Sequence, residues 1–175
     1  MSENYHLLAR TGTRVRVGGK LFHIPFHPAG KWVSETDRLD VLVARLADPE
    51  DHAEMVAMVT EDVPGVRDDL KRESQRILEE ATGRRWWEAG RLISTSVGSE
   101  VLGRMVLSGA DPWARSIGEW VAAAYALCVK GQDEKGRIRF DFMLSVPPLG
   151  YEDAWDDEGE DPEAAQAAVQ AMLGR

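Results

Sequence analysis

From about residue 35 to residue 130 apolar side chains recur every three or four positions, and Pro or Gly tends to stand where one stripe gives way to the next. Such a chain must bury one stripe of each of several helices against the others, so a mainly α, bundled architecture is the expectation. Ser34 with Asp37 reads as an N-cap, and Leu39, Leu42, Val43 and Leu46 place a first helix over about 35–47. Asp48, Pro49 and Glu50 open a second helix that runs to about Glu61, with Met55, Val56, Met58 and Val59 as its apolar positions. Pro64 and Gly65 end it. A charged third helix over roughly 66–81 is expected to be mostly solvated.

Beyond Gly83 a more apolar stripe of Trp86, Gly90, Ile93, Val97, Val101 and Met105 predicts one long central helix from about Arg84 to Leu107. Gly109 stops it, and the capping box Ser116 with Glu119 opens another helix to about Lys130. The two long helices should form an antiparallel hairpin around Trp86, Trp87, Trp113, Trp120 and Leu127.

The two ends differ from this body. Thr13–Val17 and Lys20–Phe26 are rich in β-branched and aromatic residues, and Gly18–Gly19 between them supplies the positive φ angles of a two-residue turn. A small N-terminal β-hairpin is expected within residues 1–33, and it needs helices or another protein to lie on. Pro25 and Pro28 put the second strand at an edge or end it. Ile138, Phe140, Phe142 and Leu144 alternate strictly as a half-buried strand would, and both strand and helix remain open there. Residues 34–150 form the helical body. An acidic tail follows over 151–175, with eight acids against one base, and Ala164–Leu173 is patterned for a short amphipathic helix.

The chain has 175 residues, 43% apolar and 29% charged, the balance of a single globular domain. A net charge of -9 sets it against phosphate backbones, so nucleic acid is not an expected partner. Cys128 is the lone cysteine, and the opening residues lack the basic start and apolar run of a secretory signal, which points to the cytoplasm. Stretches free of Asp, Glu, Lys and Arg, such as Leu92–Ser99 and the run containing Val121–Val129, reach at most 11 residues (Ala164–Gly174), against the roughly 20 that a membrane-spanning helix needs.

His23 and His27 are four apart, but Pro25 puts them on an extended segment, where that spacing is about 13 Å and does not hold a metal. Cys128 reads as a small buried hydrophobe. Gly18–Gly19 joins two strands and cannot cradle a phosphate as a strand-to-helix loop does. Glu79, Glu80 and Glu88 fall on charged helix faces, without the tuning that acid–base catalysis needs. No catalytic, metal or cofactor constellation is expected, and a non-enzymatic role follows. Arg84, Arg85, Trp86 and Trp87 admit three readings: a basic-aromatic nucleic-acid contact, a helix start whose tryptophans enter the core, or a binding surface around Trp87. Met55, Val56, Met58 and Val59 form a methionine-bearing face, an adaptable kind of binding surface.

The order of these features resembles the tail assembly chaperones of long-tailed phages, especially those of actinobacteria. The shared layout is a short strand with an Ile-Pro element (Lys20, Leu21, Phe22, His23, Ile24, Pro25), then a tryptophan-rich helix start (Arg84, Arg85, Trp86, Trp87). A long helix ending in Val106, Leu107, Ser108, Gly109 follows, and then Asp111, Pro112, an alanine-rich helix with Trp120, and Pro147, Pro148 before an acidic tail. It spans about 150 residues. The alternation at Ile138–Leu144 departs from it, because the resemblance implies a short helix before the proline pair. It also implies a host-cytoplasmic factor, absent from the mature virion, that binds the tape measure protein, keeps it soluble and assists tail-tube polymerisation. The tail tube protein would be recruited through a longer, frameshifted product, with self-association left open. The other expectation is a structural virion protein of the head–tail or neck region.

Overall fold

The computed structural model describes residues 12–97, 100–107 and 111–151. The protein is mainly α-helical with a small N-terminal two-stranded sheet. It divides into two compact units, one running to Cys128 and one from Val129.

Strands β1 (Thr13–Val17) and β2 (Lys20–Ile24) pair antiparallel, with Val15 opposite Phe22 and Arg14 opposite His23. Gly18 and Gly19 both take positive φ, 56° and 80°, as the turn requires. Gly18 is needed for a second reason: a Cβ there would stand 2.0 Å from the Met58 Cε and 2.9 Å from Val66. Val15, Val17, Phe22 and Ile24 point inward and are buried.

A lone ribbon has two open edges, and a helix side chain bonds one backbone group on each. On the β1 side Arg76 donates to the Arg14 carbonyl at 2.9 Å and Asp69 accepts from the Gly18 N–H at 2.9 Å. On the β2 side Asp51 accepts from the His23 N–H at 3.4 Å, and Lys20 pairs with Glu54.

The helices are α1 (Ala29–Glu35), α2 (Leu42–Leu46), α3 (Pro49–Thr60), α4 (Val66–Thr82), α5 (Trp86–Ser96), α6 (Glu100–Leu107), α7 (Ile117–Val129) and α8 (Glu134–Ser145). Short 3-10 turns fill Thr36–Val41 and Pro112–Ala114. Helix α4 is the spine of the first unit: β1, the Thr36–Val41 turn, α2, α3 and α5 all pack on it. This corrects the expectation that it is mostly solvated. Its average composition is charged, but Val66, Leu70, Ile77 and Leu78 make one continuous buried stripe, joined by buried Ser74. The Ser74 hydroxyl accepts from the Val43 N–H at 3.0 Å, capping α2, which has no cap of its own.

The other boundaries move for identifiable reasons. The helix expected over 35–47 is two helices and a 3-10 turn. Chain direction changes at Arg38 (φ -123°, ψ 59°), and Ser34 lies inside α1, its hydroxyl bonded to the Lys31 carbonyl rather than acting as a cap. The single long helix over 84–107 is divided. Ser94, Thr95, Ser96 and Val97 are poor helix formers, and Val97 leaves α5 in an extended conformation. Ser96 instead becomes a buried partner: its hydroxyl accepts from the Trp120 indole at 2.8 Å, satisfying the one polar atom of a fully buried tryptophan. The capping box is as expected, with Ser116 and Glu119 each receiving the other's backbone N–H at 3.2 and 2.9 Å.

Of the expected tryptophan core, Trp87 and Trp120 are buried, whereas Trp113 is exposed and lies over Gly30 and against Trp120. In the second unit residues 134–145 are helical, opened by Asp133, whose side chain accepts from the Gly136 N–H at 2.8 Å. The acidic segment beyond Tyr151 and the helix expected over Ala164–Leu173 lie outside the described residues.

Candidate functional site

A groove of about 660 Å³ lies beside α3 in the first unit. His52, Val56 and Thr60 line it at four-residue intervals with Met55 and Val59 between them, so α3 presents one stripe about 12 Å long. The facing wall is built from Val41, Ala44 and Ala47, and Leu70 of α4 contributes from below. Lys31, Glu35 and Arg45 stand at the rim.

The rim is an ion-pair triad. Glu35 accepts from Lys31 at 3.0 Å and from Arg45 at 2.9 Å. The Lys31 ammonium is the larger cause holding the Glu35 carboxyl below its ordinary value; Arg45 adds to it and partial burial opposes it. Both cations keep two-fifths of their side-chain surface in water, 41% for Lys31 and 43% for Arg45. Two bases share one acid, so this edge is net positive.

The walls are fixed by imidazoles. A carbonyl can only accept, so His27 donates through Nε2 to the Leu46 oxygen at 2.6 Å and His52 donates through Nδ1 to the Ala44 oxygen at 2.9 Å. Both bonds end on carbonyls of the last turn of α2, of which the Ala44 oxygen also receives the Ala47 N–H at 3.4 Å. His23 stays on the outer face of β2, and among the described residues no group of three His, Cys, Asp or Glu side chains converges as a metal ion needs.

The five residues singled out for binding are divided by the fold. Val56 is 46% exposed and Val59 half-buried, and both line the groove. Met55, Met58 and Trp87 are core residues, which corrects the picture of a methionine-bearing exposed face. Met58 is taken up by the turn at Gly18, and Trp87 meets Trp86 edge-on at 5.7 Å. Arg84 lies 4.4 Å above the Tyr125 ring and 3.5 Å from Glu88, so this arginine packs against the helices instead of standing free. The acids near it are engaged as well: Glu79 accepts from the Trp86 N–H at 3.1 Å and Glu80 pairs with Arg76. Burial pushes the Cys128 thiol above its usual range, which suppresses the nucleophilic thiolate.

Lys31, Glu35, Val41 and Arg45 escaped the sequence reading. Lys31 and Glu35 stand at helical i,i+4 spacing, a signal that was available; nothing local links Arg45 to them.

A second cavity, near the open end of the hairpin, holds about 40 Å³ between Ile24, Trp32, Ile77 and Ile117 and has room for little more than solvent. No helix among the described residues is long and apolar enough to cross a membrane. No protein-family model, curated protein or solved structure matches the chain.

Proposed function

We propose that this protein is a tail assembly chaperone of a long-tailed phage: it binds the tape measure protein in the host cytoplasm, keeps it soluble and assists tail-tube polymerisation before leaving the particle. The observation that carries the reading is the helix at Glu134–Ser145 directly before Pro147 and Pro148. Alternation at Ile138–Leu144 was the one feature that set the sequence apart from the chaperone layout, and a helix there removes the difference. Other parts of that layout have counterparts in the strand ending at Ile24, the helix start at Trp86, the turn at Asp111–Pro112 and the alanine-rich helix carrying Trp120, whereas its one long helix is two helices here.

The groove beside α3 supports a binding role by its chemistry. It offers half-exposed valines for covering apolar helix faces of a client, and valine contacts without a large aromatic anchor suit coating that must be reversed. A longer, frameshifted product is the proposed link to the tail tube protein.

The test is co-expression with the tape measure protein of the same phage. The client should stay in the soluble fraction and co-purify with this chain, and should precipitate without it. Mass spectrometry of purified virions separates the other reading: recovery at a fixed stoichiometry would make this a structural head–tail or neck protein.

A further inference from the structure

The groove beside α3 has a chemistry specific enough to name its occupant. Its lining is mostly apolar, with His52 and Thr60 on the α3 side, and among the described residues every buried side-chain nitrogen and oxygen already has a hydrogen-bond partner. The polar donors still open to a ligand, on Lys31 and Arg45, belong to one edge, and apolar residues make up most of the lining. Apolar area is what remains on offer.

A β-strand partner is also disfavoured, because strand addition needs an open sheet edge. In the only sheet among the described residues Arg76 binds the Arg14 carbonyl on the β1 edge and Asp51 accepts from the His23 N–H on the β2 edge, so a strand added at either edge would have to displace a side chain. A helix satisfies its own backbone and needs only a row of side chains to insert, and the α3 stripe of His52, Val56 and Thr60 matches two helical turns of such a row.

Charge then selects among helices. Lys31 and Arg45 are both bound to Glu35, yet each is two-fifths exposed; Arg45 uses only Nη1 in that contact, and Lys31 has three donors. The rim can therefore accept one more carboxylate and repels a cation.

We propose that this groove binds a single amphipathic helix of a partner chain, its aliphatic stripe seated on Val41, Val56 and Val59 and an aspartate or glutamate beside that stripe paired with Lys31 and Arg45. The proposal rests on the binding role above and adds its location and the chemistry it selects. For a tape measure client, the segments held would be the acid-flanked apolar ones.

The test uses the full chain and two fluorescein-labelled helical peptides of about 14 residues, about 20 Å long. Both carry the same leucine stripe; one is flanked by Glu and the other by Lys. Fluorescence anisotropy should show the Glu peptide binding about tenfold tighter. Arg45→Glu with Lys31→Glu should reverse that order, a result that general loss of structure cannot produce. Val56→Asp should weaken both peptides about tenfold with an unchanged circular dichroism spectrum.

Equal binding of the two peptides, or no effect of Val56→Asp in a folded variant, overturns the proposal. So does sedimentation showing a wild-type dimer that Val56→Asp dissociates, which would give the groove to a second copy. The wider role fails separately: a client solubilised equally by wild type and Val56→Asp removes the groove and keeps the chaperone, whereas peptide binding without client rescue does the reverse.

Discussion

Residues 13–24 and 138–144 carry the same alternation of apolar and polar side chains, and one is a β-hairpin while the other is a helix. In the hairpin every apolar member of the pattern except Leu21 points to one side and is buried. In α8 successive members lie 200° apart, so Ile138 and Phe142 share one face and Phe140 and Leu144 the opposite one. A strict period of two thus contains two i,i+4 pairs, and alternation by itself does not exclude a helix.

The partner decides. Gly18–Gly19 delivers a second strand two residues later, and α3 and α4 supply both the apolar seat and a side chain bonded to each edge of the ribbon. Residues 138–144 have no such turn beside them, and Asp133 offers a helix cap instead. Local hydrogen bonding then wins, because a helix meets its backbone needs within the segment whereas a strand must find them elsewhere.

The contrast can be broken most forcefully at Phe22. Phe22→Ala removes a buried ring from the hairpin seat and should cost about 3–5 kcal/mol by urea denaturation. Ile138→Ala in α8 should stay within about 0.5 kcal/mol, since Ile138 is 40% exposed and alanine is the better helix former. Comparable losses at the two sites would show that the difference in burial is not what separates them.

Next in size is the turn. Gly18→Ala combines a positive φ with a Cβ driven into Met58 and Val66, for an expected loss of about 2–3 kcal/mol, while Gly19→Ala, with open space around its Cβ, should lose about 1 kcal/mol. The ordering of these two glycines is the readout.

The edge contact at Asp69 has a pH signature. Its bond from the Gly18 N–H, with Arg72 adding to it, holds the carboxyl below its ordinary 3.8. A depressed folded value means the contribution is fully present above that ordinary value and is lost as pH falls through the lower, folded one. Asp69→Ala should therefore cost about 1–2 kcal/mol at neutral pH and progressively less below 3.8. A cost that does not vary with pH would assign the effect to packing.

The smallest effect sharpens the helical side. Asp133→Ala deletes the α8 cap and should remove about 1 kcal/mol from that helix alone, seen as faster amide exchange in its first turn with the hairpin amides unchanged.

Much of this was legible in the amino-acid order. Val-Gly-Gly-Lys defines the hairpin, Asp48–Pro49 and Pro64–Gly65 bracket α3, and Ser116 with Glu119 caps α7; each is a signal complete within a few residues. Val56 and Val59 were legible as binding candidates for the same reason. The centrality of α4 was not, because its average composition is charged and only its stripe, once other elements lie on it, reveals a core helix. Nor was the groove's charged rim, since Lys31 and Arg45 meet at Glu35 only after the chain bends at Arg38.

Sequence alone determined where turns and caps must fall, because steric limits on φ and the need to satisfy terminal N–H groups act between near neighbours. Tertiary structure decided which apolar residues became core and which became surface. Met55 and Met58 went inward while Val56 stayed in the groove, because burial depends on what packs across from a side chain, and those partners come from distant parts of the chain.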